Sequence, residues 1–224
     1  MIVTGLRSLA LLIVISSAIA LSQPVKLTNC SLILKSGGYV LTRDINTNAI
    51  VCMVIAASDV VLDCQGHVIE GKGLSGIIVG SEVKNVTVRN CILRYWEYGI
   101  YLYGVDFGVL EGNEMYNCYY GIRLEYGLNN TIMSNTITTS DEGYGIYLIG
   151  SHLNSLKNNR IVGFDYGIEL DDSTRNTIQG NYVCEADWEE IYLDSDSHRN
   201  SGENICDEIK DYGRNYVTCP MSCP

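Results

Sequence analysis

The sequence predicts an all-β solenoid of the parallel β-helix type, and three observations support this fold class. A motif of 22–24 residues recurs along the chain. Apolar residues within each motif alternate with polar ones, as in short half-buried strands. Gly or Asn stands before each strand, where corners require residues that tolerate left-handed backbone conformations. Three short strands per repeat describe one coil of a β-helix, and we expect about seven coils.

A Gly-Ile pair marks the repeat, and we expect the Gly to form a corner and the Ile to enter the core. The pentapeptide YGIYL at Tyr98–Leu102 returns unchanged at Tyr144–Leu148. Successive pairs, of which the last is Glu-Ile, are 23, 22, 24, 22 and 23 residues apart and begin at Gly76, Gly99, Gly121, Gly145, Gly167 and Glu190. The 3.6-residue periodicity of helical repeats is missing, as is the leucine spacing of leucine-rich repeats.

Two further series, mostly of Asn, keep phase with the Gly-Ile pairs. The first is Asn85, Gly108, Asn130, Asn154, Asn176 and Asn200, and the second is Asn90, Asn113, Asn135, Asn159 and Asn181. Asn is a turn residue, and stacked Asn side chains form ladders of amide hydrogen bonds. We therefore expect these residues to hold successive coils together and not to be catalytic.

Length and charge limit the classes of protein to be considered. The 224 residues are enough for one domain with a sizeable core. A formal net charge of -11 disfavours nucleic-acid binding, because like charges repel a phosphate backbone. Carboxylates do offer oxygen ligands to hard cations. We expect no cofactor, with Ca²⁺ left open.

The chain divides into four predicted segments. Arg7, an apolar run and the small-residue pattern Ala18-Ile19-Ala20 are typical of a secretory signal peptide over residues 1–20. An N-terminal cap with the first coils follows at 21–75, regular coils at 76–206 and a C-terminal cap or tail at 207–224. We therefore expect a secreted protein at the cell surface, with no membrane span after cleavage; an uncleaved anchor is the alternative.

Nearly the whole mature chain resembles a known family. The stretches GGYVLTRDI, VVLDCQGHVIEG, VKNVTVRNCILRYWEYGIYL and NNTIMSNTI resemble the secreted right-handed parallel β-helix proteins of the NosD type, which are related to carbohydrate-binding and sugar-hydrolase modules. The opening stretches are also similar to surface proteins common in archaea. The resemblance implies right-handed coils but no single activity, since the fold hosts lyases, hydrolases, epimerases, adhesins and inert surface proteins. We do not transfer the copper association of this family, because His67, His152 and His198 form no cluster with Met.

The nine Cys of an exported chain predict disulfides, and their odd number leaves at least one unpaired within the chain. Equivalent residues of adjacent coils lie about 4.8 Å apart, inside the Cα range of a disulfide. Cys184 and Cys206 hold matching positions after Gly180 and Gly202, so we predict that they are bonded.

For the other cysteines the sequence indicates the partners less directly. Cys30 and Cys52 bracket the first coil and would staple the N-terminal cap, and Cys64 and Cys91 follow the middle strand one coil apart. Cys219 and Cys223 either close on each other or tie the tail to the body, and Cys118 has no obvious partner. A zinc site is disfavoured, because the C-x-x-x-C at Cys219 lacks a second matching pair.

The outer face of the strand that contains Gly-Ile-x-Leu is the candidate binding surface. If Ile and Leu point inward, the residue between them points out, which places Ile78, Tyr101, Arg123, Tyr147, Glu169 and Tyr192 in one column and Tyr103, Glu125, Ile149, Asp171 and Asp194 beside it. Aromatic rings stack on sugars, and carboxylates hydrogen-bond hydroxyls. The first Tyr of YGIYL, which recurs as Tyr120 and Tyr166, is instead expected to belong to a stacked ladder that supports the fold.

Glu169, Asp171 and Asp194 are the weak catalytic candidates. Carboxyl groups about 5 Å apart suit a retaining glycosidase or a Ca²⁺ site formed by Asp171 and Asp194. The alternative is a solvated acidic face that resists edge pairing. Short turns count against catalysis. Three N-x-Ser/Thr sequons, at Asn29, Asn85 and Asn129, are candidate glycosylation sites, with chance occurrence as the alternative.

Three functions are therefore kept open. The first is a non-enzymatic surface protein that binds a polysaccharide or cell-surface glycan or contributes to an extracellular layer. The second is a small polysaccharide lyase, glycoside hydrolase or epimerase that uses the acidic, Tyr-rich face. The third is a self-associating filament subunit whose open ends stack coil on coil.

Overall fold

A computed structural model describes residues 23–139 and 141–224 of the chain. The predicted signal segment 1–20 lies outside the described residues. The described part contains 26 strands. In chain order these are β1 Val25–Leu27, β2 Ser31–Ile33, β3 Gly37–Leu41, β4 Ile45–Thr47, β5 Val51–Ile55, β6 Val60–Asp63, β7 Val68–Gly71, β8 Ser75–Val79, β9 Val86–Arg89, β10 Ile92–Arg94, β11 Tyr98–Tyr103, β12 Val109–Glu111, β13 Glu114–Tyr116, β14 Tyr120–Glu125, β15 Thr131–Met133, β16 Thr136–Thr138, β17 Tyr144–Ile149, β18 Ser155–Lys157, β19 Arg160–Val162, β20 Tyr166–Asp171, β21 Thr177–Gln179, β22 Tyr182–Cys184, β23 Glu189–Leu193, β24 Ser201–Ile205, β25 Ile209–Asp211 and β26 Tyr216–Met221.

The strands form a right-handed parallel β-helix of about eight turns, as the sequence predicts, with one turn more than expected. One face is a nine-stranded parallel sheet of β2, β5, β8, β11, β14, β17, β20, β23 and β25. The other two faces belong to one bent 17-stranded sheet, to which each regular coil contributes two strands. Among the described residues there is no helix long and apolar enough to cross a membrane.

Each coil lies in register on the next, so equivalent side chains form columns. Ile100 of β11 pairs with Ile122, and the column continues to Ile146 and Ile168. The residues of this column are fully buried. The differences in repeat length are therefore absorbed in the turns, and the strands stay aligned.

The glycine of the Gly-Ile pair is required for close packing and not for a corner. A Cβ added at Gly121 would collide with the Ile137 side chain and the carbonyl oxygen of Gly145. Gly99 and Gly167 face similar contacts from the next coil, and none of these glycines has a positive φ. The expectation that Gly forms the corner is therefore wrong, and the reason for Gly is steric.

Two buried ladders of Asn side chains run along the helix axis. In the first, each Nδ2 donates to the Oδ1 one coil above at 2.9–3.0 Å, through Asn113, Asn135, Asn159, Asn181 and Asn204. In the second, the same contact at 2.9–3.1 Å joins Asn130, Asn154, Asn176, Asn200 and Asn215. The predicted ladders thus exist, and they extend at their C-terminal ends to two residues that the sequence series did not include.

The N-terminal members of both predicted series lie one residue outside the ladders. The bridge between Lys84 and Asp106 places Val86, and not Asn85, in the column of Gly108. Asn90 is displaced in the same way. Both residues adopt left-handed conformations, with φ of 55° and 53°, and they serve as exposed corner residues.

Four disulfides link eight of the nine cysteines. Cys30 is bonded to Cys52 and Cys64 to Cys91, which are the pairs expected from the sequence. The prediction that Cys184 is bonded to Cys206 is wrong. Cys184 is instead bonded to Cys223 and Cys206 to Cys219, so the tail is tied to the body.

The register of the last coil explains this exchange of partners. Tyr182 pairs with Ile205, which puts Cys206 one residue out of register with Cys184. The tail strand β26 returns parallel to β24 and brings its own cysteines onto the same edge. Equal spacing from Gly180 and Gly202 does not mean equal register, because the last coil has one residue more between Gly202 and its ladder asparagine, Asn204, than the preceding coil has between Gly180 and Asn181.

The ladder gives a first test. Replacement of Asn159 by Ala leaves buried partners on Asn135 and Asn181 unsatisfied, and we expect the free energy of unfolding to fall by about 2–3 kcal/mol. The adjacent Asn158 is exposed with φ of 53°, so Asn158→Gly should change stability by less than about 0.5 kcal/mol. Chemical denaturation of both variants measures the difference. Equal effects would mean that the ladder adds no stability.

The disulfides give a second test. Peptide mapping without reduction should recover the linked pairs Cys184–Cys223 and Cys206–Cys219. Burial raises the pKa of the remaining thiol, Cys118, to about 12, so an alkylating reagent should label it only after unfolding. Recovery of a peptide that joins Cys184 to Cys206 would contradict the structure.

Candidate functional site

The outer face of the nine-stranded sheet is covered by tyrosine side chains, and we call the part formed by β11, β14, β17, β20 and β23 the tyrosine face. Tyr98, Tyr120, Tyr144 and Tyr166 stack one above another, with ring centroids 5.0, 4.9 and 5.4 Å apart and interplanar angles of 8–14°. This is the ladder predicted for the first Tyr of YGIYL.

The second tyrosine of the motif lies beside the first, on the same side of the sheet. The rings of Tyr98 and Tyr101 are 5.2 Å apart, and those of Tyr144 and Tyr147 are 5.1 Å apart. Gly99, which lies between them in the chain, is buried, as is Ile100, so strict alternation is broken and both tyrosines face outward. The expectation that only the second Tyr belongs to the outer face is wrong.

The stacking decides which rings are accessible. The ladder tyrosines cover one another's flat faces, so their edges and hydroxyls point outward. Accessible rings lie at the margins and meet the inner rings edge-on. Trp188 is 63% exposed and Tyr119 43% on one margin, and Tyr126 is 58% exposed and Tyr103 43% on the other. Surfaces able to stack on a sugar are therefore at the two margins.

Arg123 is held in the middle of the aromatic cluster. Its guanidinium lies 5.0–5.9 Å from the ring centroids of Tyr98, Tyr101, Tyr120 and Tyr147. Its Nε donates to Glu125 Oε1 at 2.6 Å. Because Glu125 neutralises it, this arginine stabilises the aromatic layer and forms no ion pair with Glu169, Asp171 or Asp194; Glu189 of β23 is paired with Lys210, 3.5 Å away.

Glu169 is the most perturbed acid of the face. It follows Tyr147 in its column and precedes Tyr192, and its Oε2 is buried without a hydrogen-bond partner. Burial, with the charges of Asp171 and Asp194 adding to it, raises the pKa of Glu169 to about 7. The side chain is therefore partly protonated near neutral pH.

Asp171 and Asp194 interact with each other and differ in acidity. Burial, then the contact with Asp194, raises the pKa of Asp171. Burial also opposes ionisation of Asp194, but hydrogen bonds from Ser197 and Asp171 outweigh it and lower the pKa of Asp194. The Tyr147 hydroxyl lies 3.4 Å from Asp171 Oδ2. The face thus combines an ionised carboxylate with two carboxyl groups that hold protons more tightly.

The tyrosine hydroxyls add neutral hydrogen-bond donors. Burial, then the carboxylate of Glu125 beside Tyr101 and of Glu169 beside Tyr144, raises the pKa of both tyrosines to about 12. Their hydroxyls stay protonated throughout the physiological range. Within the described residues no group of three His, Cys, Asp or Glu side chains has the arrangement of a metal site.

Two grooves flank the tyrosine face at its turns. One has a volume of about 490 Å³, and among its lining residues are Tyr95, Glu97, Tyr119, Asp141 and Glu142. The other, of about 500 Å³, lies at the C-terminal end and is lined by Ser195, His198, Arg199, Tyr212, Gly213 and Arg214. The Tyr212 ring packs edge-on against Tyr192, 5.8 Å away, so the second groove adjoins the face.

The structure brings together the residues that the sequence singled out on this surface. Tyr101, Arg123, Tyr147, Glu169 and Tyr192 form one register column. Tyr103 and Asp171 belong to the neighbouring column, and Asp194 follows β23. The exposed marginal rings of Tyr119, Tyr126 and Trp188 are not predicted from the sequence, although Tyr119 directly precedes a ladder tyrosine.

The sequons and histidines lie elsewhere. Asn29, Asn85 and Asn129 are all exposed, which is compatible with glycosylation but does not test it. His67 Nδ1 contacts Asp44 at 2.9 Å on an early coil. His152 Nδ1 accepts the backbone N–H of Thr174 at 3.0 Å. His198 is two coils from His152, about 10 Å along the axis, which is too far for a shared metal ion.

Solved structures of low sequence identity share the fold. The DFA-IIIase of Arthrobacter chlorophenolicus A6 in complex with GF2 has a TM-score of 0.61 at 16% identity over 71% of this chain and 44% of its own. The complex of that enzyme with DFA-III scores 0.58 at 15% identity over 83% and 52%. This chain thus spans about half of that enzyme's length.

A second neighbour also acts on a carbohydrate. Endopolygalacturonase I from Stereum purpureum, complexed with two galacturonate, has a TM-score of 0.51 at 15% identity over 84% of this chain and 67% of its own. At these identities the likeness extends to the fold alone. No curated protein sequence matches the chain significantly.

A profile of one protein family, described as periplasmic copper-binding protein (NosD), matches residues 26–204. The copper in that description has no evident donor set here, because the described histidines are dispersed and no group of three suitable side chains is present among the described residues. The periplasmic description agrees with four disulfides, which persist in oxidising compartments. The match covers most of the chain, and the protein therefore belongs to the NosD family of right-handed parallel β-helix proteins.

Proposed function

We propose that this protein is a secreted or cell-surface protein that binds carbohydrate on the tyrosine face. The observation that supports it is a single surface on which hydroxyls, carboxyl groups and exposed aromatic margins come from successive coils. Sugars are recognised by this combination, since their hydroxyls need donors and acceptors and their C–H faces stack on rings. The fold-level neighbours named above act on or bind sugars, which supports the same class of ligand.

The charge of the face favours neutral sugars over uronic acids. Among the described residues Glu169, Asp171 and Asp194 form no ion pair, and Arg123 is paired with Glu125. A uronate placed here would meet like charge. A neutral chain would instead accept hydrogen bonds from tyrosine hydroxyls and donate to the carboxylates.

A binding experiment tests this function. Calorimetric titration with neutral oligosaccharides should detect binding, and Trp188→Ala or Tyr126→Ala should weaken it about fivefold to tenfold through lost ring contact. Phe107→Ala is the matched control, since Phe107 is 54% exposed on a corner outside the face. Binding of neutral oligosaccharides that is unchanged in both marginal variants would refute the proposal.

Hydrolysis of a glycosidic bond is a second candidate, favoured by the contrast between Glu169 and Asp194. A carboxyl group with a pKa of about 7 can act as a general acid, and an ionised carboxylate nearby can act as a nucleophile or base. Release of reducing sugar should then fall as the pH rises through about 7, where the acid loses its proton. Loss of product in both Glu169→Gln and Asp194→Asn would support hydrolysis, and binding without product would exclude it.

The acidity of Glu169 also predicts a stability effect. Between its ordinary pKa of 4.5 and the folded-state value of about 7, the folded chain holds a proton that the unfolded chain releases, so stability falls as the pH rises through this window. At pH 8, Glu169→Gln should raise the free energy of unfolding by about 1 kcal/mol, a reduced figure because the side chain is only partly buried.

The pH dependence of that variant separates charge from packing. At pH 4 both proteins are uncharged at this site, so the gain should disappear. Glu203→Gln, at an exposed position, should show no change at either pH. Denaturant titrations at both pH values measure the effect, and a gain that persists at pH 4 would show that ionisation is not its cause.

A further inference from the structure

Three arginines lie at one corner of the last coils, and we call them the arginine corner. Arg175, Arg199 and Arg214 each directly precede a ladder asparagine, namely Asn176, Asn200 and Asn215. They therefore hold equivalent positions in successive coils, about 4.8 Å apart along the axis. Adjacent cations repel one another, so this arrangement has an electrostatic cost that the fold alone does not require.

The side chains of the arginine corner are exposed and unpaired. Within the described residues none of the three makes an ion pair or a side-chain hydrogen bond. Every other described arginine has a partner: Arg43 with Thr28, Arg89 with Asp63, Arg94 with Glu70, Arg123 with Glu125 and Arg160 with the Tyr182 ring. In a chain of net charge -11, three free guanidinium groups at one corner are a local exception.

Among the described residues none of the nearby acids forms an ion pair with the corner. Asp194 accepts a hydrogen bond from the backbone N–H of Ser197. Asp211 accepts hydrogen bonds from the backbone N–H of Gly213 and from the side-chain amide of Asn215. Asp172 and Asp196 are exposed on the same turns, and neither lies within 4.0 Å of an arginine nitrogen as an ion pair. The guanidinium groups are thus left available to an external anion.

The backbone also indicates that the arginines are not there for the turn. Arg175 and Arg199 have φ of 59° and 61°. Phe107, Asn129 and Leu153 occupy the equivalent corner of earlier coils with φ of 56°, 57° and 58°. The left-handed turn therefore accepts several residue types and does not itself require arginine.

Two of the arginines face a groove large enough for a sugar residue. Arg199 and Arg214 line the groove of about 500 Å³ together with His198, Tyr212 and Ser195. Guanidinium groups bind sulfate and carboxylate through paired hydrogen bonds, and a tyrosine ring offers an apolar contact beside them. The groove therefore combines anion recognition with an aromatic wall.

We infer that the arginine corner is a second binding site, which takes the sulfate or carboxylate groups of an anionic polysaccharide. The cations repeat along the coil axis, which suits a polymer with charges at regular intervals. The site goes beyond the tyrosine face, whose carboxylates repel such a ligand. It lies on the turn that follows that face, so one protein has a surface for neutral sugar next to a surface for charged sugar.

Titration with dextran sulfate, alginate and neutral dextran tests the inference. The intact protein should bind dextran sulfate or alginate with an affinity that falls as salt is added, whereas any binding of neutral dextran should be insensitive to salt. The first two polymers distinguish sulfate from carboxylate as the preferred group. Arg199→Gln combined with Arg214→Gln should weaken binding by about tenfold or more.

The matched control is Lys35→Gln combined with Lys157→Gln, which removes the same charge from exposed positions outside the corner. This control should bind as the intact protein does, and equal losses in both double variants would overturn the inference. So would binding of dextran sulfate and alginate that neither double variant alters. Sedimentation without polysaccharide tests whether the corner instead binds a second copy of the protein. Oligomers of the intact protein that dissociate only in the arginine variant would overturn the inference and assign the corner to self-association. Trp188→Ala should leave binding of dextran sulfate unchanged, which separates this site from the tyrosine face.

Discussion

Parallel stacking of coils in strict register is the constraint on which the rest of the structure depends. Each strand hydrogen-bonds to its equivalent one coil away, so every side chain meets its own counterpart about 4.8 Å above and below. Apolar counterparts make the core, and amide counterparts make the two Asn ladders. The amides satisfy one another and nearby carbonyls inside the protein, where an unpaired polar group is costly.

The same constraint creates the electrostatics of the outer face. Stacking places side chains of the same type next to one another. This arrangement suits tyrosine rings but brings carboxyl groups close together. Two features of the face reduce the repulsion between its carboxylates. Arg123 is inserted among the rings and paired with Glu125, whereas Glu169 and Asp171 hold protons more tightly than free acids. A surface with mixed protonation states, set within hydroxyl groups, follows from the stacking.

The fold and the columns could be predicted because they depend on periodicity, which one sequence displays. The registers of Ile100 with Ile122 and of Tyr101 with Arg123 were read correctly from repeat spacing. Errors arose where one residue was gained or lost between strands. Asn85 and Asn90 lie at corners and not in the ladders, and Cys206 is out of register with Cys184. Counting along the chain does not show which turn absorbs an insertion.

The sequence by itself determined the coil, its inward Ile and Leu columns, most of its Asn ladders and the set of polar residues on one face. Only the tertiary structure decided that both tyrosines of YGIYL face outward, that ladder rings hide one another's faces, and that the tail cysteines return to the body. It also decided which arginines stay unpaired. The physical reason is that repeat spacing specifies neighbours within a column, whereas burial and pairing depend on contacts between columns and across turns.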